Sequence, residues 1–204
     1  MRVVFLRHGE SAYNCLGLCN ADPAVPVLLT ETGRAQAEAA ALGLAGAGFS
    51  RVYVSRLDRA RETAEIVNRR HGARIIVDDR LDDRRTGLEG RPVAEYLGTM
   101  AAAPDPLAWK APEGESYLEM VARVHAFLDE LEATAEASSS PVLVVSHHEP
   151  LQAVAGRYRG LDPAAMWRVW LGNGEWLDYD VNPDLHHGPN RLACGLRPSM
   201  TAGL

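Results

Sequence analysis

A chain of 204 residues, 47% of them hydrophobic and 24% charged, can close one substantial core and falls in the globular class. A formal net charge of −6 argues against a nucleic-acid binder, which needs a basic footprint to displace phosphate counterions. Three cysteines, Cys15, Cys19 and Cys194, are too few and too odd in number for a disulfide framework; without a matching second pair, Cys15 and Cys19 read as free thiols, and no metal is expected.

Val3-Val4-Phe5-Leu6, between Arg2 and Arg7, reads as a strand buried on both faces, as in the middle of a parallel sheet. Arg7-His8-Gly9 follows at once and places basic groups at a strand's carboxyl end, where open α/β sheets keep their ligand crevices. His8 offers an imidazole nitrogen as nucleophile, acid or metal ligand, and Gly9 lets the backbone turn and approach a ligand. The amino terminus enters this strand without the apolar region and cleavage site of a secretory signal, and no run is long enough to span a bilayer. The expected location is the cytoplasm, with no membrane partner.

Asn14 to Leu28 reads as a loop, broken by Asp22-Pro23 and Pro26, that walls the crevice beside His8. Thr30 caps a helix running to about Leu44, with Ala35, Ala39 and Leu42 on one face and Gly43, Gly46 and Gly48 ending it. After the short strand Val52-Tyr53-Val54, a helix from Asp58 to Arg70 carries Ala60, Ala64 and Val67 on a common face. Arg59 falls in its first turn, where a guanidinium adds to a helix terminus that already favours anions, whereas Arg61, Arg69 and Arg70 read as solvated charges.

The strand Arg74 to Val77 leads into 78–113, punctuated by prolines and read as a cap insertion with one short helix from Val93 to Met100. Its Arg84, Arg85, Arg91 and Lys110 are either contacts for further anionic groups on a ligand or ordinary surface charges. Ser116 and Glu119 form a capping box for a periodic helix with Met120, Val124, Phe127, Leu128 and Leu131 on one face. A second buried strand, Val142 to Val145, ends in Ser146-His147-His148, and Pro150 suits the first turn of the next helix. Alternation in Glu175 to Val181 gives an edge strand; the tail of about 182–204 has no periodicity, and His186-His187 reads as part of an unstructured tail rather than a metal tract.

Three strand ends therefore deliver Arg7, Arg59, His8 and His147, and parallel strands bring such ends to one edge as an anion site. The blocks that carry these residues run in order: Arg7-His8-Gly9-Glu10-Ser11 with Asn14; Leu29-Thr30 with Gly33, Gln36 and Ala37; Ser55 to Ala64; Gly114-Glu115-Ser116 with Arg123-Val124; and Val145-Ser146-His147. Together they resemble the phosphoglycerate-mutase-like branch, branch 1, of the histidine phosphatase superfamily.

The resemblance implies one domain over 1–204: a three-layer α/β sandwich with a mostly parallel central sheet flanked by helices and a small cap insertion. It implies a phosphohistidine intermediate on His8, with Arg7, Arg59 and His147 around the phosphoryl group and Ser11, Asn14 and His148 as further substrate contacts. At the family's proton-donor glutamate, two residues after a leucine, this chain has Asp83 after Leu81, and the block running to Gly90 is shorter and lacks the family's tryptophan. Asp83 is the first choice of acid, with Asp82 expected to point elsewhere and Glu89 held as the other candidate.

The reading is a metal-independent and cofactor-free phosphohydrolase acting on a small phosphorylated substrate, with a homodimer left open. A mutase is the alternative, although the longer cap motifs of mutases are absent; a non-catalytic binder of phosphate ligands is the other.

Overall fold

The computed structural model describes residues 1–135 and 140–181, so the tail with His186, His187 and Cys194 lies outside the described residues. Five strands, β1 (Arg2–Arg7), β2 (Arg51–Val54), β3 (Arg74–Val77), β4 (Val142–Ser146) and β5 (Trp176–Asp180), form one sheet in the order β3-β2-β4-β1-β5. The first four run parallel and β5 pairs antiparallel with β1. The helices are α1 (Ala12–Leu16), α2 (Glu31–Gly43), α3 (Asp58–Asn68), α4 (Val93–Ala101), α5 (Tyr117–Ala135), α6 (His148–Arg159) and α7 (Pro163–Met166).

The unbroken apolar runs of β1 and β4 follow from burial on both faces. Val3, Phe5, Val142 and Val144 point into a core shared with α5 and α6, while Val4, Leu6, Leu143 and Val145 point into one shared with α2 and α3. Successive side chains of a strand alternate between faces, so a strand covered by helices on both sides has no polar positions to spend. The edge strand β3 is not so covered, and its Ile75 and Val77 stay exposed.

Two helices depart from the sequence expectation. On α2 the buried set is Gly33, Ala37, Ala40 and Ala41, whereas Ala35, Ala39 and Leu42 face outward. In an alanine-rich helix either stripe can serve as the packing face, and the small one was chosen because α2 presses closely on the sheet edge and α3. The helix after β2 ends at Asn68 rather than Arg70, and its Asn68 amide closes the turn by hydrogen bonds to both the N–H and the C=O of Ala73. The expected faces of α3 and α5 are buried, and the Ser116–Glu119 capping box has both of its hydrogen bonds.

Part of the expected Asn14 to Leu28 loop is helical, because Ser11 and Asn14 form a reciprocal cap that starts α1. The remainder binds the 78–113 segment: Cys19 donates to the Arg91 carbonyl at 2.8 Å, Gly90 to the Cys19 carbonyl at 2.9 Å and Val93 to the Gly17 carbonyl at 2.8 Å. Loop and insertion thus form a single wall, packed through Cys19, Tyr96 and Met100.

The close approach expected of Gly9 is to protein rather than to a ligand. A Cβ on Gly9 would run into the backbone of Gly33, and one on Gly33 into the backbone of Glu10, so the end of β1 and the first turn of α2 meet with no room for side chains. Thr30 reinforces the junction, capping Gly33 and donating to the Glu10 carboxylate at 2.7 Å. Gly33→Ala must displace backbone, which costs roughly 1–3 kcal/mol or more, whereas alanine is ordinarily the better helix former. Urea denaturation is expected to show Gly33→Ala losing at least that much stability; a variant as stable as the parent would mean that the junction can open without strain.

Candidate active site

The parallel strands β2, β4 and β1 are neighbours, so their carboxyl ends set the Ser55 turn, Ser146-His147 and Arg7-His8 side by side. His8 is 2% exposed and His147 fully buried, with ring centroids 4.9 Å apart. The His8 Nδ1–H donates to the Gly9 carbonyl at 2.6 Å, and Arg59 Nε–H donates to His8 Nε2 at 3.1 Å. The two bonds together select the tautomer with its lone pair on Nε2, the form a nucleophile requires. Burial first, then Arg59 and Arg7, hold this imidazole well below the usual histidine range, so it is neutral.

His147 is the N-cap residue of α6 and is fixed from behind. Its Nε2–H donates to Ser55 Oγ at 2.8 Å, and Ser55 Oγ–H in turn donates to Asp82 Oδ1 at 2.8 Å. Nδ1 is buried without a hydrogen-bond partner, 3.8 Å from Asp83 Oδ2. Burial, Arg59 and His8 lower the pKa of His147 well below the usual range, so its approach to Asp83 is that of a neutral ring and not an ion pair. An anion at Nδ1 would bring the missing partner once the ring takes up a proton.

Arg59 is 3% exposed and binds on every side. Besides His8, it donates to the Asn20 side-chain oxygen, to the Asn20 carbonyl at 2.9 Å and to Asp83 Oδ2 at 3.1 Å. Arg7 donates to the Leu171 carbonyl at 2.6 Å and retains a buried Nε with no partner. Thr63 Oγ1, accepting from the Gly9 N–H at 3.1 Å and donating to the Arg59 carbonyl at 2.8 Å, ties the β1 turn to α3.

The remaining sequence-derived positions divide. Asn14 lines the cavity and takes Ser11 N–H on its Oδ1, which leaves its amide nitrogen for a ligand. Ser11 also lines it, but its hydroxyl is committed to the α1 cap. Both ring nitrogens of His148 are engaged, Nδ1–H with the Leu171 carbonyl at 3.2 Å and Nε2 with Gln152 at 3.2 Å, so it presents a ring face rather than a donor. Asp82 points away from the centre, to Ser55, Arg56 and, through them, the back of His147. Glu89 binds the Asn20 amide and the N–H groups of Ala21 and Asp22. Of the three acid candidates, Asp83 alone touches Arg59 and approaches His147.

Three of the four cap cations are spent within the protein. Arg84 forms a bidentate pair with Glu149, Arg91 pairs with Glu95, and Lys110 with Glu119. Asn20, Ser55 and Asp82 are the positioning residues that sequence reasoning missed. Ser55 stood within a matched block, but Asn20 lies in an irregular loop with no local signal. Among the described residues, no group of three or more His, Cys, Asp or Glu side chains is arranged to hold a metal ion, and no helix is long and apolar enough to cross a membrane.

A family model described as histidine phosphatase superfamily (branch 1) matches residues 3–186. The Yersinia enterocolitica protein named "Probable phosphoglycerate mutase GpmB" is 30% identical over 202 residues, covering 92% of this chain and 89% of its own. Among solved structures, mycobacterial glucosyl-3-phosphoglycerate phosphatase complexed with VO3 has a TM-score of 0.78 at 28% identity, over 94% of this chain and 97% of its own. The alpha-ribazole phosphatase of Shigella flexneri has a TM-score of 0.78 at 26% identity, over 94% and 95%.

Two neutral buried histidines make stability depend on pH. Their folded pKa values lie below the unfolded value of about 6.5, so below that pH the unfolded chain binds more protons and stability falls with acidification. Each contributes a slope of about 1.4 kcal/mol per pH unit until its folded pKa is reached. Urea denaturation between about pH 7 and pH 5 is expected to show this loss, and His147→Asn to remove one histidine's share of it. An unchanged slope in that variant would mean that His147 is already charged in the folded protein.

Proposed function

The chain belongs to the histidine phosphatase superfamily, branch 1, and from that premise we propose that it hydrolyses a small phosphorylated metabolite through a phosphohistidine on His8. The observation that carries this reading is the fixed tautomer of His8, with a lone pair on Nε2 at the base of a cluster of cationic groups. The VO3 bound by the mycobacterial neighbour supports an oxyanion site in this fold.

In the proposed cycle the phosphoryl group of a dianion lies among Arg7, Arg59, His147 and Asn14, which spread positive charge and donors over its equatorial oxygens. His8 Nε2 forms a bond to phosphorus as the bond to the leaving oxygen breaks, and Asp83 gives that oxygen its proton. The arriving dianion takes Arg59 as its partner, which frees the Asp83 carboxyl to face the leaving oxygen. Water then attacks phosphorus, Asp83 receives its proton, and the nitrogen–phosphorus bond breaks to regenerate neutral His8. The hydrogen bonds from His147 to Ser55 and from Ser55 to Asp82 support the part given to His147 in this cycle.

A mutase reading is favoured by the names of the curated relatives. It requires the site to retain a second acidic group of the substrate, and of the cap cations Arg84, Arg91 and Lys110 are neutralised by Glu149, Glu95 and Glu119 while Arg85 is exposed outside the cavity lining. Hydrolysis needs no such retention and is the better supported. Turnover without added bisphosphoglycerate, and without isomerised phosphoglycerate accumulating, is its signature; a cofactor-dependent interconversion would favour the mutase. Asp83 facing Arg59 and His147 weighs against a non-catalytic binding role.

Rapid quench with labelled substrate is expected to trap an acid-labile phosphoprotein that His8→Ala lacks, along with all turnover; label surviving in that variant would remove His8 from its role. Arg59→Ala is expected to lose roughly 3–4 kcal/mol of transition-state stabilisation in kcat/KM, the scale of one preorganised charged donor, and the exposed Arg61→Ala to lose little. Asp83→Asn is expected to slow an alkyl phosphate by a factor of roughly 10²–10⁴ and an aryl phosphate with an acidic phenol far less, because only the alkoxide needs a proton to leave. Equal losses on both esters would make Asp83 a positioning residue.

A further inference from the structure

The phosphate end occupies only part of the cavity, which measures about 420 Å³ and continues between the α4 segment and the 167–170 loop. Its walls there are Tyr13, Leu18, Tyr96, Leu97, Trp167 and Trp170. Building on the phosphatase reading, we propose that this part of the site selects the leaving group, and that its substrates are phosphomonoesters of uncharged, ring-bearing alcohols.

Charge and shape argue together. Arg84, the arginine in the wall, has a side chain only 1% exposed, held by both oxygens of Glu149. Its guanidinium also lies over Tyr96, Tyr117 and Trp167, 4.9, 5.7 and 5.4 Å from their ring centroids. It therefore organises the aromatic wall and is not free to receive a substrate anion. Glu149 in the same lining is neutralised by Arg84, Asp83 is held by Arg59, and Arg168, the remaining cation of the cavity outside the phosphate end, is exposed at its rim. A carboxylate or second phosphate on a short substrate would lose its water there with no unpaired buried cation to replace it.

A neutral ring meets the opposite conditions. It removes apolar area from water against Leu18 and Leu97, and offers its face or edge to Tyr96 and Trp167. Trp170 fits the same occupant. It is 76% exposed, packs on the ring of His148 at 4.8 Å between centroids, and borders the cavity, so a ring seated beside it would cover an aromatic face now in water. The cavity as a whole, phosphate end included, has room for an organic group well larger than a three-carbon acid.

The test compares esters whose leaving alcohols need the same help, so that only the pocket distinguishes them. With the wild-type chain, kcat/KM for benzyl phosphate is expected to exceed that for ethyl phosphate by a factor of about 10–10², and 3-phosphoglycerate is expected to fall no higher than ethyl phosphate. Trp170→Ala, at a position too exposed to matter for folding, is expected to reduce the benzyl-to-ethyl ratio. Equal constants for benzyl and ethyl phosphate, or a preference for phosphoglycerate, would overturn the proposal. If no ester turns over, an activated aryl phosphate included, the phosphatase reading falls; calorimetry with benzylphosphonate against ethylphosphonate then decides the pocket, tighter benzyl binding upholding it and equal affinities overturning it.

Discussion

A buried guanidinium is the constraint around which this molecule is assembled. Arg59 carries a permanent charge at a nearly solvent-free position, and such a charge is tolerated only if every donor finds an acceptor. Its partners come from three separate stretches: His8 from the end of β1, Asn20 from the 14–28 loop and Asp83 from the start of the cap. Satisfying one side chain thus draws the two irregular segments over the carboxyl edge of the sheet. Burial, together with this charge and that of Arg7, keeps both histidines neutral.

The scaffold beneath is rigid where the chemistry demands it. Gly9 and Gly33 allow the β1 turn and α2 to touch backbone to backbone, and Thr63 joins that turn to α3. On the other side Ser146 Oγ–H donates to the Leu81 carbonyl at 2.6 Å, so the β4 end that bears His147 also anchors the start of the cap. Asp82 and Asp83 then diverge, one to the back of His147 through Ser55, the other to its front. Adjacent residues of an extended segment point to opposite sides, which lets two consecutive carboxylates hold two different posts around one imidazole.

Away from the phosphate end the polarity changes. Arg84 and Glu149 neutralise each other within an aromatic box, and the cavity is walled chiefly by rings and aliphatic side chains. The cavity is thus strongly charged at one end and far less so at the other, the division on which the proposed choice of leaving group rests.

The strands and the residues at their carboxyl ends were legible in the sequence because doubly buried strands leave continuous apolar runs, and the residues that follow them must emerge at one edge when the strands are parallel. That Arg7, His8 and His147 would share one edge followed in that way, Arg59 was set apart from its neighbouring arginines by the family resemblance, and the capping box of α5 and the packing face of α3 were local. The packing face of α2 was not, since alanines on either side of a helix look alike until a neighbour covers one of them. Nor could sequence show that Asp83 reaches Arg59 while Glu89 holds Asn20, assign Asn20 to Arg59, or show that Arg84 is spent on Glu149. Those pairings join residues from 24 to 69 positions apart in irregular segments, where no periodicity records direction. Only the folded chain decides them, because each depends on which desolvated charge lies close enough to need a partner.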